Sequence, residues 1–141
     1  MYLTREAIAA CERRFGVPRV VALETELTPA ETDRLVASQR WGRAHDVTFF
    51  VLDPAKRVVV IRKPDFPPGC WRPPSGGVEP GEGIEAGVWR EAREETGLDI
   101  ALERYVVRVD GRFVEQAADG PGRVVPWTSH VFTARVTSGR L

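Results

Sequence analysis

The amino-acid sequence predicts an α/β domain in which helices pack against a mixed β-sheet. The chain has 141 residues, which is room for one domain with a single hydrophobic core. Hydrophobic residues make up 43% of the chain and charged residues 28%, as in an average globular domain. The order of the segments is the third observation: two strands, a loop, a helix and further strands follow one another, as in layered α/β folds.

Residues 1–43 are predicted to form a helical and extended extension at the N-terminus. Residues 4–16 combine a threonine cap, apolar residues at helical spacing and a final glycine, which predicts a helix. Residues 17–27 are expected to be extended. Residues 28–31 then join a threonine N-cap, a proline at the first helical position and a glutamate at the third, so a second helix begins here and is expected to stop at Gly42.

A hairpin and a rigid loop are predicted next. Residues 45–52 are apolar at both alternating sets of positions, as in a strand covered on both faces. Residues 53–56 form a turn, and residues 58–61 are predicted to be the returning strand. Five prolines between positions 64 and 74 require an irregular loop there.

The second half of the chain is predicted to contain one helix and further strands. Residues 84–96 are compatible with a helix that closes at Gly97. A strand is expected through residues 105–107, and residues 116–123 are rich in turn formers. Strand character resumes over residues 124–136.

Charge and cysteine content exclude several functional classes. Basic and acidic residues number 20 each, so the chain has no overall field that attracts nucleic acid or an anionic membrane, and no basic stripe indicates specific nucleic-acid recognition. Cys11 and Cys70 lie far apart and indicate neither a disulfide framework nor a zinc site. No apolar run approaches the roughly 18 residues of a spanning helix, so we expect a cytoplasmic protein without a membrane partner.

Three carboxylates are predicted to share one face of the helix over residues 84–96. Glu91, Glu94 and Glu95 have the spacing i, i+3, i+4, which brings them together near the negative end of the helix dipole. Their repulsion requires a positive partner. A solvated face with ion pairs to neighbouring arginines is one interpretation, and a metal site is the other. For a metal, oxygen ligands without His or Cys favour Mg²⁺ or Mn²⁺ over zinc.

The sequence around this helix resembles a known motif. Residues 76–98 read GGVEPGEGIEAGVWREAREETGL, with every fixed position of the Nudix box of MutT-like hydrolases filled at the required spacing. The resemblance implies a Nudix-type α/β/α sandwich with a mixed sheet over residues 44–141. The family fold normally continues past residue 136 into another strand and a closing helix, so we expect either a truncated C-terminus or N-terminal helices that fill that place.

The resemblance also implies roles for single residues of the box. Glu91 and Glu95 correspond to the family's metal ligands, and Gly76 permits the backbone carbonyl beside it to approach the same ion. Glu94 corresponds to a further ligand or to the base that activates water. Arg90 corresponds to the residue that orients the carboxylates. The implied cofactor is Mg²⁺, with Mn²⁺ as the alternative.

The activity that the resemblance implies is that of a pyrophosphohydrolase. Water would attack one phosphorus of a nucleoside diphosphate linked to another moiety, a small-molecule substrate. Three cationic residues are candidates for holding its phosphates, although ordinary solvated charges are the alternative for each: Arg62, Lys63 and Arg72. Four aromatic residues either stack on a base or belong to the core: Trp71, Tyr105, Phe113 and Trp127.

Several alternatives stay open at this level. Some family members take their base from a loop beyond the box, and Glu115 is our choice for that role. ADP-ribose-specific members tend to carry a proline near the position of Phe113, which disfavours that substrate. A catalytically silent nucleotide-binding module is the second functional hypothesis. A helical N-terminal arm in a short member is compatible with a homodimer. The two histidines, His45 and His130, are assigned no role.

Overall fold

The computed structural model describes residues 3–39, 43–120 and 122–141. These residues form three helices and five strands, and the strands make one mixed sheet in the order β1-β4-β5-β2-β3. The predicted α/β class is confirmed. In chain order the elements are α1 (Arg5–Phe15), β1 (Arg19–Leu27), α2 (Pro29–Ser38), β2 (His45–Leu52), β3 (Ser75–Gly77), α3 (Ile84–Thr96), β4 (Asp99–Glu115) and β5 (Val124–Ser138).

The N-terminal elements form where their capping residues predict them. Thr4 accepts a hydrogen bond from the backbone of Ala7 at the start of α1, and Thr28 with Glu31 makes a reciprocal capping box at the start of α2. The predicted stop of the second helix, Gly42, lies outside the described residues. The extended segment, β1, pairs in parallel with β4, so it lies at one edge of the same sheet as the rest of the chain.

One face of the sheet carries the hydrophobic core under α1 and α3. Alternate residues of β2 and β5 point to this face, as the two-residue period of a strand requires. Phe15 of α1 packs edge-to-face on Phe132 of β5, with ring centroids 6.1 Å apart. Three elements supply many of the fully buried side chains of this layer: Val47, Phe49 and Val51 of β2, Phe132 and Ala134 of β5, and Val88 and Ala92 of α3.

The opposite face of β2 is more open than the sequence predicts. Phe50 points to that face and is 40% exposed. The apolar pattern of residues 45–52 predicts a strand covered on both sides. The difference arises because α2 packs mainly against β1, β4 and β5.

The predicted returning strand over residues 58–61 is wrong. Among the described residues, this segment makes isolated bridges, Leu52 with Val58 and Ile61 with Arg72, and no continuous ladder. The prolines that follow cannot donate backbone hydrogen bonds, so a ladder cannot extend through them. The short strand β3 pairs antiparallel with β2 instead, and it places the start of the glycine-rich segment at the sheet edge.

The two histidines, far apart in sequence, are brought together with a tyrosine. Nδ1 of His45 lies 3.0 Å from Nε2 of His130, and the Tyr105 hydroxyl lies 2.5 Å from Nδ1 of His130. His130 is completely buried. Burial lowers the pKa of His130 to about 3, and the charges of His45 and Arg108 act in the same direction. His130 is therefore neutral in the folded protein.

Because His130 is neutral in the folded protein, we expect acid to destabilise the fold before the carboxylates titrate. The unfolded chain binds a proton near the ordinary pKa of 6.5, whereas folded His130 does not until about 3. The stability that neutral His130 contributes is therefore fully present above pH 6.5. It is lost as the pH falls toward 3, at about 1.4 kcal/mol of unfolding free energy per pH unit. Urea unfolding of wild type and His130→Gln at several pH values between 6.5 and 5 measures it. If the unfolding free energy of both proteins depended equally on pH, His130 would not be the neutral group responsible.

None of the helices in the described part of the chain has both the length and the apolar character needed to cross a bilayer.

Candidate active site

Helix α3 presents its apolar side to the core and its acidic side to β3 and the neighbouring loops, where only Glu94 is largely exposed. Ile84, Val88 and Ala92 are buried against the sheet, and the helix ends at Gly97, whose left-handed φ of 71° favours glycine. Residues three and four apart share one side of a helix. The last two turns therefore carry Glu91, Glu94 and Glu95 together, directly before the helix ends.

Arg90 joins the acidic side of α3 to the loop that precedes the helix. Its guanidinium donates to both carboxylate oxygens of Glu82, each at 3.0 Å, and to Glu91 at 2.8 Å. It also donates to the backbone carbonyl of Gly77 at 2.7 Å and lies 3.4 Å from Glu94. These contacts raise the pKa of Arg90, chiefly through the hydrogen bonds to Glu82. One arginine thus fixes the loop, β3 and two turns of the helix relative to one another.

Glu82 is a structural partner of this arginine. Burial alone would raise the pKa of Glu82, but the hydrogen bonds from Arg90 and from the Glu79 backbone outweigh burial and hold the pKa below its usual value. The carboxylate is therefore ionised and fully engaged in bracing the loop.

Glu95 lies in a second set of contacts, on the side of the proline-rich loop. Its side chain is 9% exposed, and Oε1 lies 2.8 Å from Nζ of Lys63 and 3.3 Å from the Arg72 guanidinium. Oε2 accepts a hydrogen bond from the backbone of Ser75 at 2.9 Å. Two cations and one amide thus supply the positive partners that the acidic helix requires.

The two glycines of β3 have different surroundings because successive strand positions face opposite sides of the sheet. A Cβ on Gly76 would stand 1.8 Å from the carboxyl carbon of Glu91. A Cβ on Gly77 would stand 1.8 Å from the guanidinium of Arg43. A side chain at either position would displace the end of Glu91 or of Arg43, so the two glycines leave the places that these side chains occupy.

The donor set fits a hard divalent cation. All three glutamates offer carboxylate oxygens, the ligand type that Mg²⁺ and Mn²⁺ prefer, and the missing side chain at Gly76 opens the backbone to the same region. Within residues 3–39, 43–120 and 122–141, no three acidic, histidine or cysteine side chains already converge as a ready cluster. Lys63, Arg72 and Arg90 occupy carboxylate oxygens that a cation would use.

Most of the residues singled out from the sequence meet at this place. Lys63 and Arg72 reach Glu95, and Arg90 reaches Glu91 and Glu94. Arg62 is exposed and takes part in no ion pair among the described residues. Glu115 does not reach α3 in the described part of the chain; Arg123 holds its carboxylate, and the hydrogen bonds from Arg123 lower the pKa of Glu115.

Sequence reasoning missed residues whose positions depend on tertiary structure. Ser75 acts through its backbone amide, which no side-chain pattern reveals. Arg43 lies over Gly77, and Asp46 occupies the neighbouring register position on β2. An aspartate within a largely apolar strand is a signal that would have pointed to Asp46.

The sequence of this chain is similar to a family model and to known proteins. A family model described as NUDIX domain matches residues 42–141. The NAD-capped RNA hydrolase NudC of Stutzerimonas stutzeri is 30% identical over 103 residues, which cover 69% of this chain and 37% of that protein. An uncharacterized Nudix hydrolase, YvcI of Bacillus subtilis, is 33% identical over 67% of this chain and 56% of its own length. The chain therefore spans well under two thirds of either relative.

Among solved structures, the crystal structure of a MutT protein from Methanosarcina mazei is similar over 68% of this chain and 66% of that protein. The sequence identity is 21% and the TM-score 0.46.

Proposed function

The chain belongs to the NUDIX domain family, and on this premise we propose that it catalyses metal-dependent hydrolysis of a pyrophosphate linkage in a nucleoside diphosphate joined to another group. The observation that carries the proposal is the acidic side of α3. Its last two turns carry Glu91, Glu94 and Glu95, and Arg90 joins this side of the helix to β3 and to the loop that precedes the helix. Arg90 also donates to the Gly77 carbonyl and to Glu82, contacts that an ion-paired surface helix alone does not require.

Glu91 and Glu95 would hold the metal, together with the backbone at Gly76. Bound Mg²⁺, or Mn²⁺ in its place, supplies positive charge to the phosphate oxygens and acidifies the attacking water. The contribution of the protein is a rigid frame. Arg90 keeps Glu91 in place, and the Ser75 amide does the same for Glu95. Such preorganised charges are the usual source of rate enhancement in phosphoryl transfer.

Glu94 is the proposed base. Its side chain is 58% exposed, and the Arg90 contact of 3.4 Å leaves its carboxylate open to water. The oxygen of water forms a bond to one phosphorus, and the bond from that phosphorus to the bridging oxygen breaks. The proton of the water passes to a carboxylate oxygen of Glu94 and then to solvent.

Lys63 and Arg72 are proposed to bind the substrate phosphates. Both lie at Glu95 and are 45% and 35% exposed, so each has donors free for an incoming anion. Guanidinium and ammonium groups are suited to phosphate oxygens. Arg62 adjoins Lys63 in sequence and is exposed, which supports the same role for it.

Chromatographic detection of the two phosphate-containing products, with a substrate panel, tests the proposal. The panel contains a nucleoside triphosphate, NAD, a dinucleoside polyphosphate, a nucleotide sugar and ADP-ribose, each with Mg²⁺, with Mn²⁺ and with a chelator. NAD is included because one relative is named an NAD-capped RNA hydrolase. We expect turnover of at least one compound that stops with the chelator. Turnover unaffected by the chelator, or none with any compound, would contradict the proposal.

A nucleotide-binding module without turnover is the second candidate. The contacts of Lys63 and Arg72 with Glu95 favour it, because the carboxylate is already compensated without an ion. Binding of nucleotides in the same panel without hydrolysis would establish this alternative.

Gly76→Ala is expected to lower kcat/KM by at least about tenfold, because misplacing a catalytic group slightly has a large kinetic effect. The added methyl would occupy the place of the Glu91 carboxyl group. Gly83→Ala is the matched control, since a Cβ there meets nothing within 4 Å and its φ of −81° suits alanine. Steady-state kinetics of both variants measure the effect. Equal activities would show that the space at Gly76 is unimportant for catalysis.

We also propose a division of the chain into two parts, an oligomeric state and a cellular location. Residues 1–43 are an extension of a Nudix domain at residues 44–141, to which β1 adds an edge strand. The exposed Val20, Val21 and Leu23 on β1 support a homodimer through this edge, and light scattering would measure its mass. A cytoplasmic location is supported by the free thiols of Cys11 and Cys70.

A further inference from the structure

A second group of side chains lies on the side of β3 that faces away from Glu91. The guanidinium of Arg43 rests on Gly77, where a Cβ would stand 1.8 Å from Nη2. The same guanidinium carbon lies 5.9 Å from the centre of the Trp127 ring. The proposed reaction uses neither residue, so this contact has no role in the carboxylate site.

Strand register places Asp46 in the same group. Asp46 pairs with Gly77 on β3 and with Ser129 on β5, and paired residues point to the same face of a sheet. Trp127 precedes Ser129 by two positions and therefore shares that face. Arg43, Asp46 and Trp127 are thus grouped on the open face of the sheet, the face to which the partly exposed Phe50 also points.

Two polar atoms in this group have no partner. Nε of Arg43 and Oδ1 of Asp46 are both buried, and neither forms a hydrogen bond with any described residue. Buried polar groups are nearly always satisfied, so an unpartnered donor and an unpartnered acceptor on two side chains grouped around Gly77 indicate a missing ligand. Burial raises the pKa of Asp46, while hydrogen bonds from the Ser129 and Trp127 side chains to this carboxylate and the charges of Arg43 and His45 lower it by less. An N–H donor would stabilise this carboxylate.

The chemistry of the three side chains restricts the ligand. Asp46 disfavours an anion and Arg43 disfavours a cation, so the ligand is neutral and offers both a hydrogen-bond acceptor and an N–H donor. The ring of Trp127 and the flat guanidinium favour a planar, polarisable group. A nucleobase meets these requirements, because its edge carries carbonyl or ring-nitrogen acceptors next to N–H donors.

We propose that Arg43, Asp46 and Trp127 bind the nucleobase of the substrate, with Arg43 donating to a base acceptor and Asp46 accepting from a base N–H. This inference rests on the proposed function. β3 is the edge strand of the sheet, and a single strand is only about 4.8 Å wide. The ribose can pass around this edge, which leaves the phosphates on the side of Glu91 and the base on the side of Arg43.

Asp46 is then the main determinant of which base is bound. A carboxylate only accepts hydrogen bonds, whereas the carboxamide of Asp46→Asn also donates. The substitution should therefore change the order of preference among bases, and not merely lower the affinity for every base. Asp65→Asn is the matched control, because Asp65 is exposed in the proline-rich loop and makes the same change of charge.

Isothermal titration in the presence of a chelator tests the inference without turnover. The ligands are the four common nucleoside 5′-monophosphates and ribose 5-phosphate, which lacks a base. Wild type is expected to bind its preferred nucleotide about tenfold or more tightly than ribose 5-phosphate. In Asp46→Asn the ratio of dissociation constants between the best and the worst base should change about fivefold or more, which corresponds to one altered hydrogen bond.

Two results would overturn the inference. Ribose 5-phosphate bound as tightly as the nucleotides would show that the base makes no contact. An equal loss of affinity for all bases in Asp46→Asn would show that Asp46 does not distinguish between bases. Arg43→Lys is the second variant, in case Asp46→Asn lacks a cooperative thermal transition; it keeps the charge, removes Nε–H and should change the same ratio.

The test separates this inference from the proposed function. Glu91→Gln should abolish hydrolysis in the substrate panel and leave the ratio between bases unchanged. Base preference altered by Asp46→Asn in a protein that hydrolyses nothing would support the nucleobase site and reject the enzyme. Hydrolysis with no response of base preference to either variant would support the enzyme and reject the site.

Discussion

Replacing Glu95 by Gln is expected to lower kcat/KM by about 100-fold or more and to leave the fold nearly as stable as before. The side chain is 9% exposed and lies between Lys63 and Arg72. The substitution removes the negative charge that would hold a cation, and loss of a metal ligand has effects of at least this size. Gln retains a carbonyl oxygen that can accept from the Ser75 amide, so the free energy of unfolding should change by less than about 1 kcal/mol.

The matched control is Glu85→Gln on the same helix. Glu85 forms an ion pair with Arg14 of α1 at 2.6 Å, on the first turn and away from the acidic cluster. That variant should retain wild-type kinetics. Steady-state kinetics give kcat/KM for Glu95→Gln and Glu85→Gln, and urea unfolding gives the stability of each. If Glu95→Gln kept more than about a tenth of the wild-type rate, Glu95 would not be a metal ligand.

Replacing Arg90 by Met is expected to lower both activity and stability. The guanidinium is 26% exposed and contacts Glu82, Glu91 and the Gly77 carbonyl. Without it, two largely buried carboxylates lose their partner, which costs about 2 to 3 kcal/mol of unfolding free energy. The loop and Glu91 would also lose their common anchor, so we expect kcat/KM to fall by about 100-fold.

Arg93→Met provides the control for Arg90→Met. Arg93 lies on the same helix and pairs with Asp99, but its side chain is 72% exposed, so its removal should cost less than about 1 kcal/mol. Arg90→Lys should be intermediate, because an ammonium cannot donate to three groups in one plane. Equal unfolding free energies for Arg90→Met and Arg93→Met would contradict the bracing role.

The parts of the fold that local chemistry determines could be predicted from the sequence. The capping box at Thr28 and the left-handed glycine at Gly97 set helix ends by contacts within a few residues. The common face of Glu91, Glu94 and Glu95 follows from helical geometry alone. The resemblance of residues 76–98 to the Nudix box agreed with the NUDIX family match.

The features that were missed depend on which segments meet in three dimensions. The strand predicted at residues 58–61 forms only isolated bridges, and the ladder along residues 46–48 of β2 comes from β3; periodicity does not show which of two segments pairs with a strand. His45 and His130 are separated by 84 residues but stack at 5.3 Å because β2 and β5 are parallel neighbours. Arg43 carries no local signal for its position over Gly77.

The most direct test of the proposed reaction is hydrolysis in water labelled with the heavy oxygen isotope. Mass spectrometry of the products from the preferred compound of the panel would locate the label. Attack of water on phosphorus, with Glu94 as base and Glu91 and Glu95 as metal ligands, predicts one labelled oxygen in one phosphate-containing product per turnover. Label absent from both phosphate products, or an unchanged rate of label incorporation in Glu95→Gln, would contradict the account.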